Sequence, residues 1–215
     1  MIKLVIFDMD GTLLDSMWVW RSAAERYLVS IGKPCNENLS HLLDKMTMKS
    51  AIDYLKENYL PELPWEEIDT GVRSQIAGAY MDVCEKKGAT ALLKKLRREG
   101  IRTVLATASP EDVVMNVISR LGITELFDKV VTEAVKSTPD LFLQLADGFF
   151  AKPNEVIVAE DALYSIRTAH SAGFKIMGVY EEYFKERQEE IKKLSDLYYT
   201  KIDNTDSIIE DIKSL

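Results

Sequence analysis

Residues 4–16 read Leu4-Val5-Ile6-Phe7-Asp8-Met9-Asp10-Gly11-Thr12-Leu13-Leu14-Asp15-Ser16. A short run, apolar at every position, stops at two carboxylates that flank a single residue, and a Gly and a Thr follow. Continuous apolarity without alternation suits a strand buried on both faces of a parallel sheet. Ligands of such sheets gather beyond the carboxyl ends of the strands, where Asp8 and Asp10 are expected to emerge. Two carboxyls held this close repel, so one has a raised pKa unless a cation neutralises them. Mg²⁺ suits the need, because it takes hard oxygen ligands. One carboxylate can then serve as a nucleophile and the other as a proton shuttle. Gly11 lets the chain turn sharply after Asp10. A bare Asp-x-Asp-Gly is more often a plain polar turn. The strand before it and the longer run around it favour chemistry.

The rest of the chain sets the bounds. Its 215 residues suffice for one α/β core and a small inserted domain. The net charge of −8 argues against nucleic acid and against an anionic membrane as partners. It also requires local positive charge wherever an anionic substrate binds. No apolar run reaches the length of a membrane span. Met1 leads straight into the first strand, with no room for a signal peptide, so a cytoplasmic location is expected. Cys35 and Cys84 are far apart and form no ligand pattern, which suits reduced bystanders.

From Ser16 to Lys87 the apolar residues recur at helical spacing, as in Ala23, Tyr27, Leu28 and Ile31, with a stop at Gly32-Lys33-Pro34. A further helix is expected from Trp65 to about Cys84, weakened by Gly71 and Gly78. After Gly88 helices and strands alternate. Strands are expected at 101–106, 127–131, 155–159 and 175–180, with an edge strand at 197–200 and a charged helix at about 182–194. This rhythm predicts an α/β fold, a doubly wound parallel sheet made of residues 1–15 and 88–215, interrupted by an all-helical insertion at 16–87.

Three more places follow strands. Thr107-Ala108-Ser109-Pro110 ends one strand and opens a helix, a favourable position for an anion. There Ser109 reads as the helix N-cap and Pro110 as the first helical residue. Lys136 lies in a loop before a helix and offers a point charge, with Lys129 as the alternative lysine. Glu160-Asp161 is a second acidic pair after an apolar strand, costly to bury unless paired or bound to metal.

Taken together, these stretches resemble the four motifs of the haloacid dehalogenase-like hydrolase superfamily, in its phosphatase and β-phosphoglucomutase-like branch. The resemblance spans nearly the whole chain. It implies a Rossmann-like core with the 16–87 insertion as a helical cap. It also implies a Mg²⁺-dependent phosphatase acting on a small phosphate monoester through an aspartyl-phosphate. In that scheme Asp8 is the nucleophile and Asp10 the acid and base. Thr107, the N–H groups near Ala108, and Lys136 hold the transferring oxygens. The metal sits on the side chains of Asp8 and Asp161 and the backbone carbonyl of Asp10. Glu160 supports the metal shell, and Asp15 orients the turn or an outer water. Trp20 and Met17 line the cap side of the pocket.

Departures from the family pattern are Ser137 in place of a Pro, and Ala162 and Ser165 in place of a Ser and a Gly. Sugar phosphomutase relatives carry a His where this chain has Trp20, which favours hydrolysis. A phosphomutase of the β-phosphoglucomutase type and a non-catalytic phosphometabolite sensor are the alternatives. The expected partner is a small-molecule phosphate ester, with the chain a monomer or homodimer.

Overall fold

The structure is a computed structural model that describes residues 1–36, 38–43 and 46–215. It divides into two compact units, residues 1–15 with 84–215, and residues 16–83.

The first unit is built on β1 (Leu4–Phe7), β4 (Arg102–Ala106), β5 (Lys129–Val131), β6 (Val156–Glu160), β7 (Lys175–Val179) and β8 (Leu197–Tyr199). They form one six-stranded sheet in the order β5-β4-β1-β6-β7-β8, parallel throughout. The apolar run that opens the chain is the central strand, with all four residues buried. Helices α5 (Ala89–Arg98), α6 (Glu111–Arg120), α7 (Asp140–Gly148), α8 (Leu163–Ser171), α9 (Gln188–Leu194) and α10 (Thr205–Ser214) connect and cover the strands. On one face Leu4 and Ile6 pack with Phe142 and Leu145 of α7, Ile166 of α8 and Ile191 of α9. Successive strand side chains point to opposite faces, and α5 lies on β4 with α10 beside it. The predicted doubly wound sheet is therefore observed, with β8 as its edge.

Several elements differ from the periodicity, among them the helix expected from Trp65 to about Cys84, which ends at Ala79 and passes into a 3-10 turn. The strand expected from residue 127 starts at Lys129. The charged helix expected from 182 is a 3-10 turn, Glu182–Arg187, broken at Phe184, before α9 begins. The insertion was expected to run to Lys87, but the second unit ends at Val83. The reason is a two-stranded ribbon in which β2 (Leu14–Asp15) pairs antiparallel with β3 (Cys84–Glu85), binding Cys84 onward to the first unit.

The second unit contains α1 (Met17–Ser30), α2 (Leu39–Leu43), α3 (Met48–Asn58) and α4 (Trp65–Ala79), followed by a 3-10 turn at Tyr80–Asp82. Val19, Leu28, Ile52, Leu55 and Ile68 are fully buried there. Gly71 is more than a weak helix former. A Cβ built on it would lie 2.0 Å from the Tyr27 ring, so the bare backbone of α4 is what lets α1 approach. Trp18 is exposed. No helix among the described residues is long and apolar enough to cross a membrane.

Candidate active site

Strand register assembles the site. Phe7 of β1 pairs with Ala159 of β6, and the Asp8 amide donates to the Ala159 carbonyl at 2.9 Å. The next residues along each strand, Asp8 and Glu160, therefore leave the sheet side by side. After Asp8 the chain reverses within a few residues. The Leu13 and Leu14 amides both donate to the Met9 carbonyl, and the Gly11 amide donates to Leu14. Gly11 has φ of 78°, a left-handed conformation that L side chains resist. On the other side of β1, Thr107 follows β4 directly. Its carbonyl accepts from the Ala134 amide at 2.8 Å, which ties it to the loop carrying Lys136.

Lys136 is the positive centre of this edge. Its ammonium donates to Asp8 Oδ1, and to Glu160 Oε1 at 2.6 Å, and it is only 4 % exposed. The alternative, Lys129, is an exposed residue of β5. The other oxygen of Glu160 accepts from the amides of Asp161 at 3.1 Å and Ala162 at 2.9 Å. Both Glu160 oxygens are thus engaged, one holding the lysine and one fixing the turn into α8. Asp161 differs. Its Oδ1 accepts from the Thr12 hydroxyl at 3.1 Å, while its Oδ2 is buried without a hydrogen-bond partner.

Burial pushes the Asp8 carboxyl up to about 7 against the pull of Lys136, and Glu160 and Asp10 add to the rise. Burial also holds the Asp161 carboxyl well above the ordinary range. Glu160 and Asp8 reinforce this, while Lys86 and Lys136 oppose it. Burial disfavours charge on Lys136, but Asp8 and Glu160 more than reverse this, so its pKa is raised and it stays an ammonium. With all three carboxyls ionised, they and the one buried ammonium would leave two negative charges, which one divalent cation would balance.

Oxygens of Asp8, Glu160 and Asp161 lie within 4.8 Å of one another. An all-oxygen set suits a hard cation such as Mg²⁺ or Ca²⁺. An unpartnered buried carboxylate oxygen is costly in a protein interior, and a cation against it removes that cost. The residues present therefore fit a divalent metal.

Thr107 is buried, and its hydroxyl oxygen accepts from the Ser109 amide at 3.1 Å, with the exposed Ala108 between them. Ser109 is not the N-cap expected of it. Pro110 takes that position, and the Ser109 hydroxyl donates instead to Asp10 Oδ2 at 2.5 Å. Helix α6 starts one residue later than the capping pattern suggests, which frees the serine for the acidic turn. Asp15 is exposed in β2 opposite Cys84. Within the helical unit, Met17 opens α1 and the Trp20 indole N–H donates to the Tyr80 hydroxyl at 3.0 Å.

Three polar residues of this edge carry contacts that the sequence does not predict. Thr12 and Ser109 lay inside stretches already singled out, so their hydroxyls were visible signals. Lys86, which donates to the Tyr180 carbonyl at 2.9 Å and to Glu181 at 2.8 Å, had none. It reaches the site only because β3 returns from the insertion beside β2.

Comparison with known proteins identifies the family and the fold. Residues 5–179 match the family model described as haloacid dehalogenase-like hydrolase. The chain is 27% identical over 184 residues to a phosphorylated carbohydrates phosphatase of Thermotoga maritima, covering 83% of this chain and 85% of that one. It is 26% identical over 224 residues to a glyceraldehyde 3-phosphate phosphatase of Pyrococcus furiosus, covering 97% and 93%. Among solved structures, a protein assigned as a β-phosphoglucomutase from Thermotoga maritima superposes with a TM-score of 0.86. That match covers 98% of this chain and 99% of the other at 23% identity, a likeness of fold. With a family match across most of its length, the chain belongs to the haloacid dehalogenase-like hydrolases.

Proposed function

We propose that this protein is a Mg²⁺-dependent phosphatase that hydrolyses a small phosphorylated metabolite through an aspartyl-phosphate on Asp8. The observation that carries the reading is the buried Asp8 carboxylate, paired with Lys136 beside the unpartnered Asp161 Oδ2. Asp8 and Asp161, with the backbone carbonyl of Asp10, would hold the ion. Glu160 is left to Lys136 and the two amides. When bound, the ion supplies positive charge that offsets repulsion between the Asp8 carboxylate and an incoming phosphoryl group.

Asp8 then attacks phosphorus as the nucleophile, and the bond to the ester oxygen breaks. Asp10 gives a proton to the departing oxygen and later takes one from the water that hydrolyses the aspartyl-phosphate. Lys136, the Thr107 hydroxyl and the N–H groups near Ala108 supply donors for phosphoryl oxygens that gain charge in the transition state. The named relatives are phosphatases of small phosphorylated metabolites, which supports the substrate class. Trp20 supports hydrolysis over intramolecular transfer. Its indole N–H is committed to Tyr80, and an indole is a donor only, with no proton to exchange near neutral pH.

The test is a panel of phosphate monoesters assayed with Mg²⁺ for released phosphate. Turnover of small sugar or polyol phosphates, lost in Asp8→Asn, is expected. Conversion of β-glucose 1-phosphate to glucose 6-phosphate without phosphate release would establish a mutase instead. No turnover of any ester would mark a sensor that keeps the fold.

A further inference from the structure

The two oxygens of Asp161 stand in different surroundings. Oδ1 accepts from the Thr12 hydroxyl at 3.1 Å, whereas Oδ2 is buried with no hydrogen-bond partner. Thr12 is 1 % exposed and Asp161 2 %, so both groups lie out of reach of bulk water. A threonine hydroxyl has a single proton to give, and Asp161 Oδ1 receives it.

Thr12 is itself held in place. It lies in the turn after β1, where the Leu13 and Leu14 amides donate to the Met9 carbonyl and the Gly11 amide donates to the Leu14 carbonyl. The Leu13 carbonyl accepts from the Lys86 amide at 2.8 Å, and the Lys86 ammonium is bound to Tyr180 and Glu181 beyond β7. The hydroxyl is therefore a fixed donor, reaching from the turn after β1 to the turn after β6. The Asp161 carboxylate can rotate about its Cβ–Cγ bond only by breaking this hydrogen bond in a buried place, which is costly.

We propose that Thr12 is the positioning residue for Asp161 and sets which divalent cation the site prefers, an inference that rests on the metal-dependent phosphatase reading above and deepens it. By holding Oδ1, Thr12 turns the carboxylate so that Oδ2 alone faces the ion. Mg²⁺ demands near-ideal octahedral geometry. The two oxygens of one carboxylate lie too close together to fill neighbouring octahedral positions. Ca²⁺ takes more oxygens at less regular angles and accepts both from one carboxylate. A carboxylate that presents one oxygen therefore suits Mg²⁺, and one free to present two suits Ca²⁺. Thr12 touches neither the ion nor the phosphoryl group in this scheme.

The ratio of two affinities separates this role from a structural one, because general damage to the fold weakens both ions. The metal-free full-length protein is titrated calorimetrically with MgCl₂ and, separately, with CaCl₂ at one fixed pH. Thr12→Val keeps the shape and removes the donor. It is expected to weaken Mg²⁺ binding by about 10-fold and to leave Ca²⁺ binding within about 3-fold of wild type or tighter, so the preference for Mg²⁺ falls. Thr12→Ser keeps the hydroxyl and should restore the wild-type preference. Thr12→Cys, close in volume but a weak donor, should repeat the shift and serves if the valine variant folds poorly by circular dichroism. A preference for Mg²⁺ that is unchanged within about 3-fold or rises, or a serine variant shifted as far as valine, would overturn the proposal. A wild-type protein that binds neither ion would instead overturn the metal-dependent reading of the site.

Discussion

The two units of this chain bury different chemistry. In the α/β unit Asp8, Thr12, Thr107, Ser109, Lys136, Glu160 and Asp161 are all buried at one edge of the sheet. In the helical unit Ser16 is the only buried polar residue among those described, and the rest of its core is aliphatic or aromatic. Burying charge costs stability unless every charge finds a partner. The α/β unit accepts that cost at one place, and Asp161 Oδ2 remains unpartnered there. The helical unit is held by close packing, as where Gly71 meets Tyr27. A change in the first unit should therefore act on chemistry and on response to metal. A change in the core of the second should act on packing.

The strongest way to break this contrast is Asp8→Asn, which keeps the shape and removes the nucleophile. Phosphate release should fall by about 10⁴-fold or more while the circular dichroism spectrum is unchanged. Activity within about tenfold of wild type would mean that the buried charge is structural.

Lys136→Met comes next. It leaves Asp8 and Glu160 facing each other without their shared cation. Activity is expected to fall by about 10²- to 10³-fold. Urea unfolding should show a loss of about 3–5 kcal/mol, because breaking a buried ion pair strands its partners. Unchanged stability would contradict the burial argument for this edge.

A third prediction concerns pH. Asp8 has a folded-state pKa raised from 3.8 to about 7, so the metal-free folded protein holds that proton more tightly than the unfolded chain. This contribution is fully present below about pH 3.8, declines between the two values and is lost as pH rises through about 7. The buried Asp161 carboxyl, raised for the same reason, acts in the same direction. Mg²⁺ favours the ionised carboxylates and must displace protons at low pH. The gain in Tm on adding Mg²⁺ should therefore be larger at about pH 8 than at about pH 5.5, and the Asp161→Asn variant should lose most of that difference. An equal gain at both values would place the ion elsewhere.

The smallest expected effect sharpens the contrast from the other side. Gly71→Ala forces a methyl group against the Tyr27 ring and should cost about 1–3 kcal/mol. Hydrogen exchange should quicken in α1 and α4, while the central strands β1, β4 and β6 stay protected. Faster exchange in those strands as well would mean that the two units do not respond separately.

How far the sequence revealed this follows from where the signals were local. Leu4–Phe7 read as a strand because four buried positions in a row leave little else, and the acidic turn after it was adjacent in sequence. Glu160-Asp161 and Thr107 were legible for the same reason, each ending an apolar run. Lys136 was harder, since a loop lysine carries no pattern, and only the structure places its ammonium between Asp8 and Glu160. Ser109 was read as a cap because Ser-Pro-Glu-Asp satisfies the local rule, while its true partner lies 99 residues earlier. Lys86 and the end of the insertion depend on a two-residue ribbon between distant segments, too short to leave a periodic trace. Contacts of that kind are set by tertiary pairing.

The central claim is that Asp8 is phosphorylated during turnover. Mix the Asp10→Asn variant with Mg²⁺ and acetyl phosphate, whose leaving group departs without a proton, quench in acid, and map the protein by tandem mass spectrometry. A phosphoryl group on the peptide carrying Asp8, absent when Asp8 is also changed to Asn, is the predicted result. An unmodified Asp8 under conditions where the wild-type enzyme turns over acetyl phosphate, or a phosphoryl group on a different residue, would contradict it.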